Sequence, residues 1–195
     1  MWKTRSTLDP LAHHQASVGL LTMLRADATN EIGGVECRAC NCYSVIMRIA
    51  LYQPEIPGNV GAVLRLAACF DVGVDIIEPC GFVFSDKRLK RAGMDYADHV
   101  RMTRHMSWDI FLAQTKGRLV LLSSKASTRL PDYGFAGDDI LLMGQESAGV
   151  PNSVRALCDA QVRIPMIPAM RSLNIAVATG IALSEALRQT GGLPE

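Results

Sequence analysis

Two turns in the last third of the sequence, each between an apolar run and a helical pattern, constrain the fold most strongly. The first follows apolar residues 141–143 and contains Gly144, Glu146 and Gly149 before Pro151. Glycine permits backbone conformations that a Cβ atom would prevent, and proline is well suited to the first turn of a helix. The pattern predicts a buried strand, a tight turn with one carboxylate, and a helix.

The second turn follows another short apolar run. Pro165 and Pro168 fix φ and remove two backbone donors, so this loop is expected to be stiff. After the loop, apolar residues recur at helical spacing up to Gly191, with Ser172 or Asn174 as the N-cap. Because this helix is apolar on nearly all sides, we expect it to be buried or shared with a partner chain.

Strand and helix patterns also alternate upstream, which predicts an α/β domain with a mainly parallel sheet. The first strand is expected over residues 47–52, followed by a helix that Asn59 caps. Residues 118–123 are typical of a strand buried on both faces. The other predicted elements are strands over 72–77, 98–102 and 161–164, helices over 108–115 and 151–158, and a polar loop over 124–138.

An abrupt change of pattern at Met47 divides the chain. Residues 1–46 show no sustained period of either kind, so we interpret them as an N-terminal extension outside the fold. Residues 47–195 are then one domain, a size that can bury a real core. No apolar run is long enough to span a bilayer and no secretory signal is evident, so we expect a cytoplasmic protein.

The cysteines raise the question of a metal site. Three of the six lie close together, at Cys37, Cys40 and Cys42. This C-x-x-C-x-C pattern has no matching second half, so a closed zinc site would need ligands from elsewhere. We therefore predict free thiols and no metal, with a metal- or partner-binding appendage as the alternative.

The formal net charge of +1 does not indicate a nucleic-acid-binding protein, but its distribution is uneven. Lys87, Arg88, Lys90 and Arg91 fall within five positions. Such a run is either a solvated helix face or a local patch that holds phosphates. By itself the run does not decide between the two.

Three motifs together resemble those of the SPOUT RNA methyltransferases. Residues 144–151 have the pattern Gly-x-Glu-x-x-Gly-x-Pro, and residues 164–166 and 171–174 are similar to the motif that follows it in the family. Residues 57–65 are similar to the first motif. The resemblance spans residues 47 to about 189 and is closest to members that methylate the wobble ribose of tRNA.

The resemblance implies a fold and an activity that periodicity alone does not predict. The fold would be a mainly parallel sheet flanked by helices, with a C-terminal deep trefoil knot. The activity would be S-adenosylmethionine-dependent 2′-O-methylation of the wobble nucleotide, a cytidine or a modified uridine, in tRNA. The protein would act as a homodimer, with neither metal nor membrane. Ser184 stands where such proteins often carry tyrosine, which puts the dimer packing in question.

The resemblance also assigns roles to particular residues. Arg65 would orient the ribose hydroxyl, since a guanidinium is a poor base at neutral pH, and Asn59 would shape the same site. Lys87, Arg88, Lys90 and Arg91 would bind RNA. Gly144 and Gly149 would let the backbone approach the cofactor closely. The full cofactor-binding set is Leu122, Gly144, Glu146, Gly149, Ile164, Met166, Ser172, Leu173 and Asn174.

Other functions fit parts of the pattern. A nucleotide-binding oxidoreductase would have Gly-x-Gly-x-x-Gly after its first strand, whereas residues 53–58 read Gln-Pro-Glu-Ile-Pro-Gly. Methylation of another tRNA or rRNA site, and a non-catalytic RNA-binding relative, are the remaining alternatives. A non-catalytic relative would be expected to lose pocket residues.

Overall fold

The computed structural model describes residues 47–83, 100–170 and 172–195. The strands in these ranges are β1 (Arg48–Tyr52), β2 (Gly73–Ile77), β3 (Met102–His105), β4 (Leu119–Leu122), β5 (Thr128–Arg129), β6 (Ile140–Met143) and β7 (Ala160–Arg163). They form one sheet in the order β3-β2-β1-β6-β4-β7-β5. Every pair of neighbouring strands is parallel, which confirms the predicted α/β class.

Helices connect the strands and cover both faces of the sheet. They are α1 (Pro57–Cys69), α2 (Trp108–Gln114), α3 (Asn152–Arg155) and α4 (Ile175–Thr190), with a 3₁₀ turn at Leu130–Asp132. Helix α4 packs against α1 and β6. Its side facing the protein is buried at Thr179, Ala182, Leu183, Ala186 and Leu187. Val177 and Ile181 on the same helix are exposed, so α4 is not enclosed on all sides.

The central strands are buried on both faces, as their apolar composition predicts. Along β1, Ile49 and Leu51 face one hydrophobic core, which includes the buried sides of α1 and α4. Ala50 and Tyr52 face a second core, to which Phe111 of α2 belongs. Because successive side chains of a strand point to opposite faces, a strand between two helical layers must be apolar throughout.

Two buried carboxylates, Asp75 and Asp139, join neighbouring strands through hydrogen-bonded ion pairs. Asp139, which is fully buried, accepts hydrogen bonds of 2.7 and 2.8 Å from the Arg118 guanidinium. This pairing raises the pKa of Arg118 above its ordinary value. Asp75 on β2 accepts two hydrogen bonds of 2.7 Å from Arg48 and lies 2.8 Å from Nε2 of His105. These pairs hold β1, β2 and β3 together, and β4 against β6.

Several predicted boundaries were wrong. The strand expected over residues 98–102 instead begins at Met102, where pairing with Val74 of β2 fixes the register. The helix expected over residues 151–158 is a single turn, α3. After it, the backbone N–H of Cys158 bonds to the carbonyl of Arg155, three residues back, which tightens and ends the helix. The polar loop over 124–138 contains β5 and the 3₁₀ turn.

Asn59 does not cap α1. The helix begins at Pro57, which suits the first helical position, and Ile56 is the N-cap without a side-chain hydrogen bond. By contrast, Asn174 is the N-cap of α4 as predicted: its Oδ1 accepts from the backbone N–H of Ala176 at 2.9 Å. Gly191 ends α4 with a φ of 70°.

Three predictions concern residues outside the described ranges. The first is the interpretation of residues 1–46 as an extension, and the second is the prediction of free thiols at Cys37, Cys40 and Cys42. The third is the assignment of Lys87, Arg88, Lys90 and Arg91 to RNA binding. In the part of the chain that is described, no helix is long and apolar enough to cross a membrane.

Candidate active site

A cavity of about 570 Å³ lies at the carboxyl edge of the sheet, where the loops after β1, β4, β6 and β7 meet. In open parallel sheets this edge is where ligands bind. All nine residues predicted to bind the cofactor line the cavity, and Asn59 lines it too. The structure therefore brings together residues from all three motifs.

Glu146 ties the glycine turn to the start of α1. Its carboxylate accepts hydrogen bonds from the backbone N–H of Glu55 at 2.9 Å and of Ile56 at 3.3 Å. It also accepts from the side-chain amide of Asn59 at 3.0 Å. A carboxylate at a helix N-terminus satisfies donors that have no partner within the helix. Glu146 thus fixes one wall of the cavity against another.

Asn59 continues this network to the last helix. While its amide nitrogen donates to Glu146, its Oδ1 accepts from the side-chain amide of Asn174 at 2.9 Å. Asn174 in turn caps α4. Three motif residues, Asn59, Glu146 and Asn174, are therefore joined by two side-chain hydrogen bonds.

Two further contacts join the loop after β1 to the loop after β6. The carboxylate of Glu55 accepts from the hydroxyl of Ser147 at 2.7 Å and from its backbone N–H at 2.8 Å. These bonds lower the pKa of Glu55, the hydroxyl bond most. The side-chain amide of Gln145 donates to Oε1 of Gln53 at 3.0 Å. Sequence reasoning missed Gln53, Glu55 and Ser147, because no local pattern pairs residues so far apart.

The glycine turn is closed by its own backbone. Gln145 and Gly149 exchange two backbone hydrogen bonds of 2.8 and 2.9 Å. A Cβ atom at Gly144 would lie 2.6 to 2.9 Å from the backbone of Gly149. This close approach of two backbone segments is a reason for glycine at position 144 that the sequence did not indicate. The expectation that Gly144 also makes room for a ligand stays a prediction. Gly149 has a φ of 71°, a conformation that favours glycine.

Arg65 is separated from the cavity wall. It lies on the exposed side of α1 and does not line the cavity, although Asn59 of the same helix does. Six residues of helix correspond to a rise of about 9 Å. Within one chain, the structure thus does not place Arg65 beside the predicted cofactor residues.

Among the described residues, two cations line the cavity that sequence reasoning did not assign to it. Lys125 is exposed in the loop after β4, and Arg155 is half-buried on α3. A signal was present in the sequence, since each follows one of the apolar strands whose carboxyl ends form this edge. In the described ranges, no group of three or more His, Cys, Asp or Glu residues could hold a metal ion.

A parallel sheet with a ligand-sized cavity at its carboxyl edge defines a class, the α/β proteins that bind a small molecule between the loops following the strands. The family is specified by sequence comparison, because the model of the SpoU rRNA Methylase family matches residues 46–184. The chain therefore belongs to the SpoU rRNA Methylase family. This confirms the resemblance to RNA methyltransferases.

Individual relatives agree with this assignment. A tRNA (cytidine(34)-2'-O)-methyltransferase from Beijerinckia indica subsp. indica is 57% identical over 148 residues, which are 74% of this chain and 92% of the relative. A solved structure described as giving insights into the 2-OH methylation of C/U34 on tRNA is 42% identical, with a TM-score of 0.70; the match covers 73% of this chain and 95% of that one. The SpoU methyltransferase AviRb from Streptomyces viridochromogenes, in complex with the cofactor AdoMet, is 27% identical with a TM-score of 0.67, covering 82% of this chain and 66% of that one.

Proposed function

We infer that the protein is an S-adenosylmethionine-dependent methyltransferase that methylates the 2′-hydroxyl of the wobble nucleotide, position 34, of tRNA. The observation that carries this function is the 57% identity to a tRNA (cytidine(34)-2'-O)-methyltransferase over nearly the whole of that relative. The family match over residues 46–184 includes all the described residues that line the cavity. A cytidine or a modified uridine is the proposed acceptor.

The cavity suits the proposed cofactor. Its volume is within the range of pockets that hold drug-sized ligands, roughly 300 to 1,000 Å³. Leu122, Ile164 and Met166 supply apolar walls for an adenine ring, and Ser172 offers a hydroxyl. The backbone at Ile164 and Met166 would provide the polar contacts to the ring. Gly144, Glu146, Gly149, Leu173 and Asn174 would shape the remainder of this site.

When bound, S-adenosylmethionine supplies an electrophilic methyl group on a sulfonium. The part of the protein in the reaction is then mainly to position the acceptor oxygen in line with that group. We assign this positioning to Arg65, whose guanidinium can hold a hydroxyl and a phosphate together but is a poor base at neutral pH. The hydroxyl proton would pass to water. Asn59, held by Glu146 and Asn174, would fix the wall of the site.

A homodimer would complete this site. Ile56 and Leu173 line the cavity and are 48% and 39% exposed, and nearby Val177 and Ile181 on α4 are 52% and 41% exposed. Exposed apolar side chains in this number around a cavity favour a partner surface. A second copy bound there could bring its Arg65 to this cavity, which would reconcile the proposed role of Arg65 with its position outside the cavity of its own chain.

The remaining proposals concern the whole chain. Lys87, Arg88, Lys90 and Arg91 would bind tRNA phosphates, and residues 1–46 would be dispensable for the fold. The chain would close a C-terminal trefoil knot as residues 164–174 pass from β7 to α4. Since its substrate is tRNA, the protein would act in the cytoplasm.

Methyl transfer to defined tRNA transcripts tests the function. The full chain should bind S-adenosylhomocysteine in a calorimetric titration and transfer one methyl group to a tRNA with cytidine at position 34. A matched transcript with 2′-deoxycytidine at that position should accept none. Equal transfer to the deoxy transcript, or transfer only to rRNA, would contradict the assignment of position 34, and absence of cofactor binding would contradict the enzyme.

A further inference from the structure

The charged side chains that line the cavity leave a positive charge facing it. Among the described residues they are Lys125, Glu146 and Arg155. The carboxylate of Glu146 already accepts hydrogen bonds from two backbone N–H groups and from Asn59. The hydrogen bonds of this carboxylate therefore join two walls of the cavity, and its charge is already compensated by these donors. The two cations are left for a ligand, and they indicate that the ligand carries an anionic group.

Arg155 is the better oriented of these two cations. It is half-buried on α3, and its Nη1 donates to Oε1 of Gln161 on β7 at 3.2 Å. This neutral partner fixes the direction of the guanidinium but leaves its charge uncompensated. Among the described residues, no carboxylate forms an ion pair with Arg155. A partly buried guanidinium without an anion is costly, so binding one would be favourable.

The cofactor assigned to this cavity offers one anionic group. S-adenosylmethionine combines an adenosine and a sulfonium, both without negative charge, with a methionine tail that ends in an α-carboxylate. We propose that Arg155 binds this α-carboxylate and so selects ligands that carry the amino-acid tail. The proposal rests on the proposed function of the cavity and adds a residue that determines specificity for the cofactor.

Lys125 is the competing choice, and its geometry suits a different role. Its side chain is exposed, and an ammonium on a flexible stem is strongly hydrated. A guanidinium offers a planar pair of donors that matches a carboxylate. Lys125 would raise the local concentration of anionic ligand through its field, whereas Arg155 would make the directional contact.

Two probes that differ only in the tail test the proposal. S-adenosylhomocysteine carries the carboxylate, and 5′-methylthioadenosine retains the adenosine and sulfur but lacks the amino-acid group. Both are titrated calorimetrically into the full-length wild type and into Arg155→Gln, Arg155→Lys and Lys125→Gln variants. Arg163→Gln is the matched control, because it removes a cation from β7 that does not line the cavity. Thermal unfolding verifies that each variant is folded.

In the Arg155→Gln variant, affinity for S-adenosylhomocysteine should fall about ten- to a hundredfold, the loss typical of a charge-assisted hydrogen bond. Affinity for 5′-methylthioadenosine should stay within about twofold of wild type, since that ligand never makes the bond in question. Arg155→Lys should recover part of the loss, and Arg163→Gln should leave both affinities unchanged.

Three results would overturn the proposal. They are an equal loss for both probes, no loss for either, or a loss of discrimination in Lys125→Gln rather than Arg155→Gln. Failure of the proposed function is distinguishable, because the wild type itself would then bind neither probe.

Discussion

Glu55 and Glu146 each bind the backbone of the loop that carries the other. Glu146 accepts from the backbone N–H of Glu55 at 2.9 Å, and Glu55 accepts from the backbone N–H of Ser147, the residue after Glu146, at 2.8 Å. The two loops are therefore held together by reciprocal hydrogen bonds, each from a backbone N–H of one loop to a carboxylate of the other. Both loops contribute residues to the cavity, so these hydrogen bonds set the distance between two of its walls.

Replacing Glu146 with Gln should weaken both the fold and cofactor binding. The amide keeps one acceptor oxygen but turns an N–H group toward donors that need a carboxylate. Loss of charge-assisted hydrogen bonds costs about 2 kcal/mol, which corresponds to a decrease in Tm of roughly 4 to 8 °C for a domain of this size. Differential scanning calorimetry and titration with S-adenosylhomocysteine measure the two effects. Glu195→Gln at the C-terminus is the neutral control, and a wild-type Tm in Glu146→Gln would contradict the bridging role.

Gly144→Ala should distort the glycine turn. The added Cβ atom would meet the Gly149 backbone at 2.6 to 2.9 Å, closer than real contacts allow, so Gly144 and Gly149 must separate. We expect a lower Tm and at least about tenfold weaker binding of S-adenosylhomocysteine, with a cost on the order of 1–3 kcal/mol as for other overpacked sites. Gly134→Ala is the control, since nothing lies within 4 Å of a Cβ atom there. If both variants behave alike, the backbone contact is not what requires glycine.

Arg65→Lys should lower turnover without affecting cofactor affinity. Lysine keeps the charge but loses the planar pair of donors that would hold the ribose hydroxyl and a neighbouring phosphate together. Single-turnover methyl transfer at saturating tRNA should fall by about tenfold or more, while the affinity for S-adenosylhomocysteine stays constant. Arg188→Lys on α4 provides a matched substitution outside the site. Native turnover by Arg65→Lys would remove this residue from the chemistry.

Alanine at Lys87, Arg88, Lys90 and Arg91 should weaken tRNA binding and flatten its dependence on salt. For each phosphate that is no longer neutralised, the slope of log affinity against log salt should decrease in magnitude by about 1. Turnover at saturating tRNA should change little, because the described residues that line the cofactor cavity are unchanged. Binding measured at several salt concentrations separates this from a general loss of affinity. An unchanged slope would mean that the basic run is a solvated face.

The Glu185–Arg188 pair should contribute to stability in a pH-dependent way. Hydrogen bonds from Arg188 and Gln189 lower the pKa of Glu185 to about 2, from an ordinary value of 4.5. Because the folded-state pKa is depressed, the stabilisation is fully present above about pH 4.5 and is lost as the pH falls toward about 2. Urea unfolding between about pH 6 and about pH 3 should show a shallower decline for Glu185→Gln than for wild type. Arg188→Gln should give a decline between those of wild type and Glu185→Gln, because the hydrogen bond from Gln189 remains. An unaltered slope in both variants would refute the contribution.

The parts of the fold that could be predicted are those determined locally. The apolar runs of β1, β4 and β6 lie between two helical layers and must be apolar on both faces, and Asn174 caps α4 through its own backbone neighbours. β3 and β5 are edge strands with exposed residues, so their positions depend on pairing with β2 and β7 rather than on their own composition.

In the candidate site, too, local features could be predicted from the sequence and contacts between distant segments could not. Motif resemblance identified nine cavity residues, but it could not assign what each side chain contacts. Asparagine is a common N-cap residue, but Asn59 lies inside α1, where its side chain bridges Glu146 and Asn174. Its partners are 87 and 115 positions away in the chain. Such contacts follow from the order of strands in the sheet, which no local pattern specifies.

The bond between Asn59 and Asn174 has a consequence for protein synthesis. During translation, Asn59 and Glu146 leave the ribosome well before Asn174 is synthesised. The hydrogen bond between Asn59 and Asn174 therefore forms only after the start of the last helix has been made. A transcript cut short before the final helix would yield a product with every strand of the sheet but an incomplete pocket wall. Full affinity for the cofactor would then require that the last helix has been translated. A truncated product would not be stabilised by the cofactor and would therefore gain no protection from proteases through ligand binding.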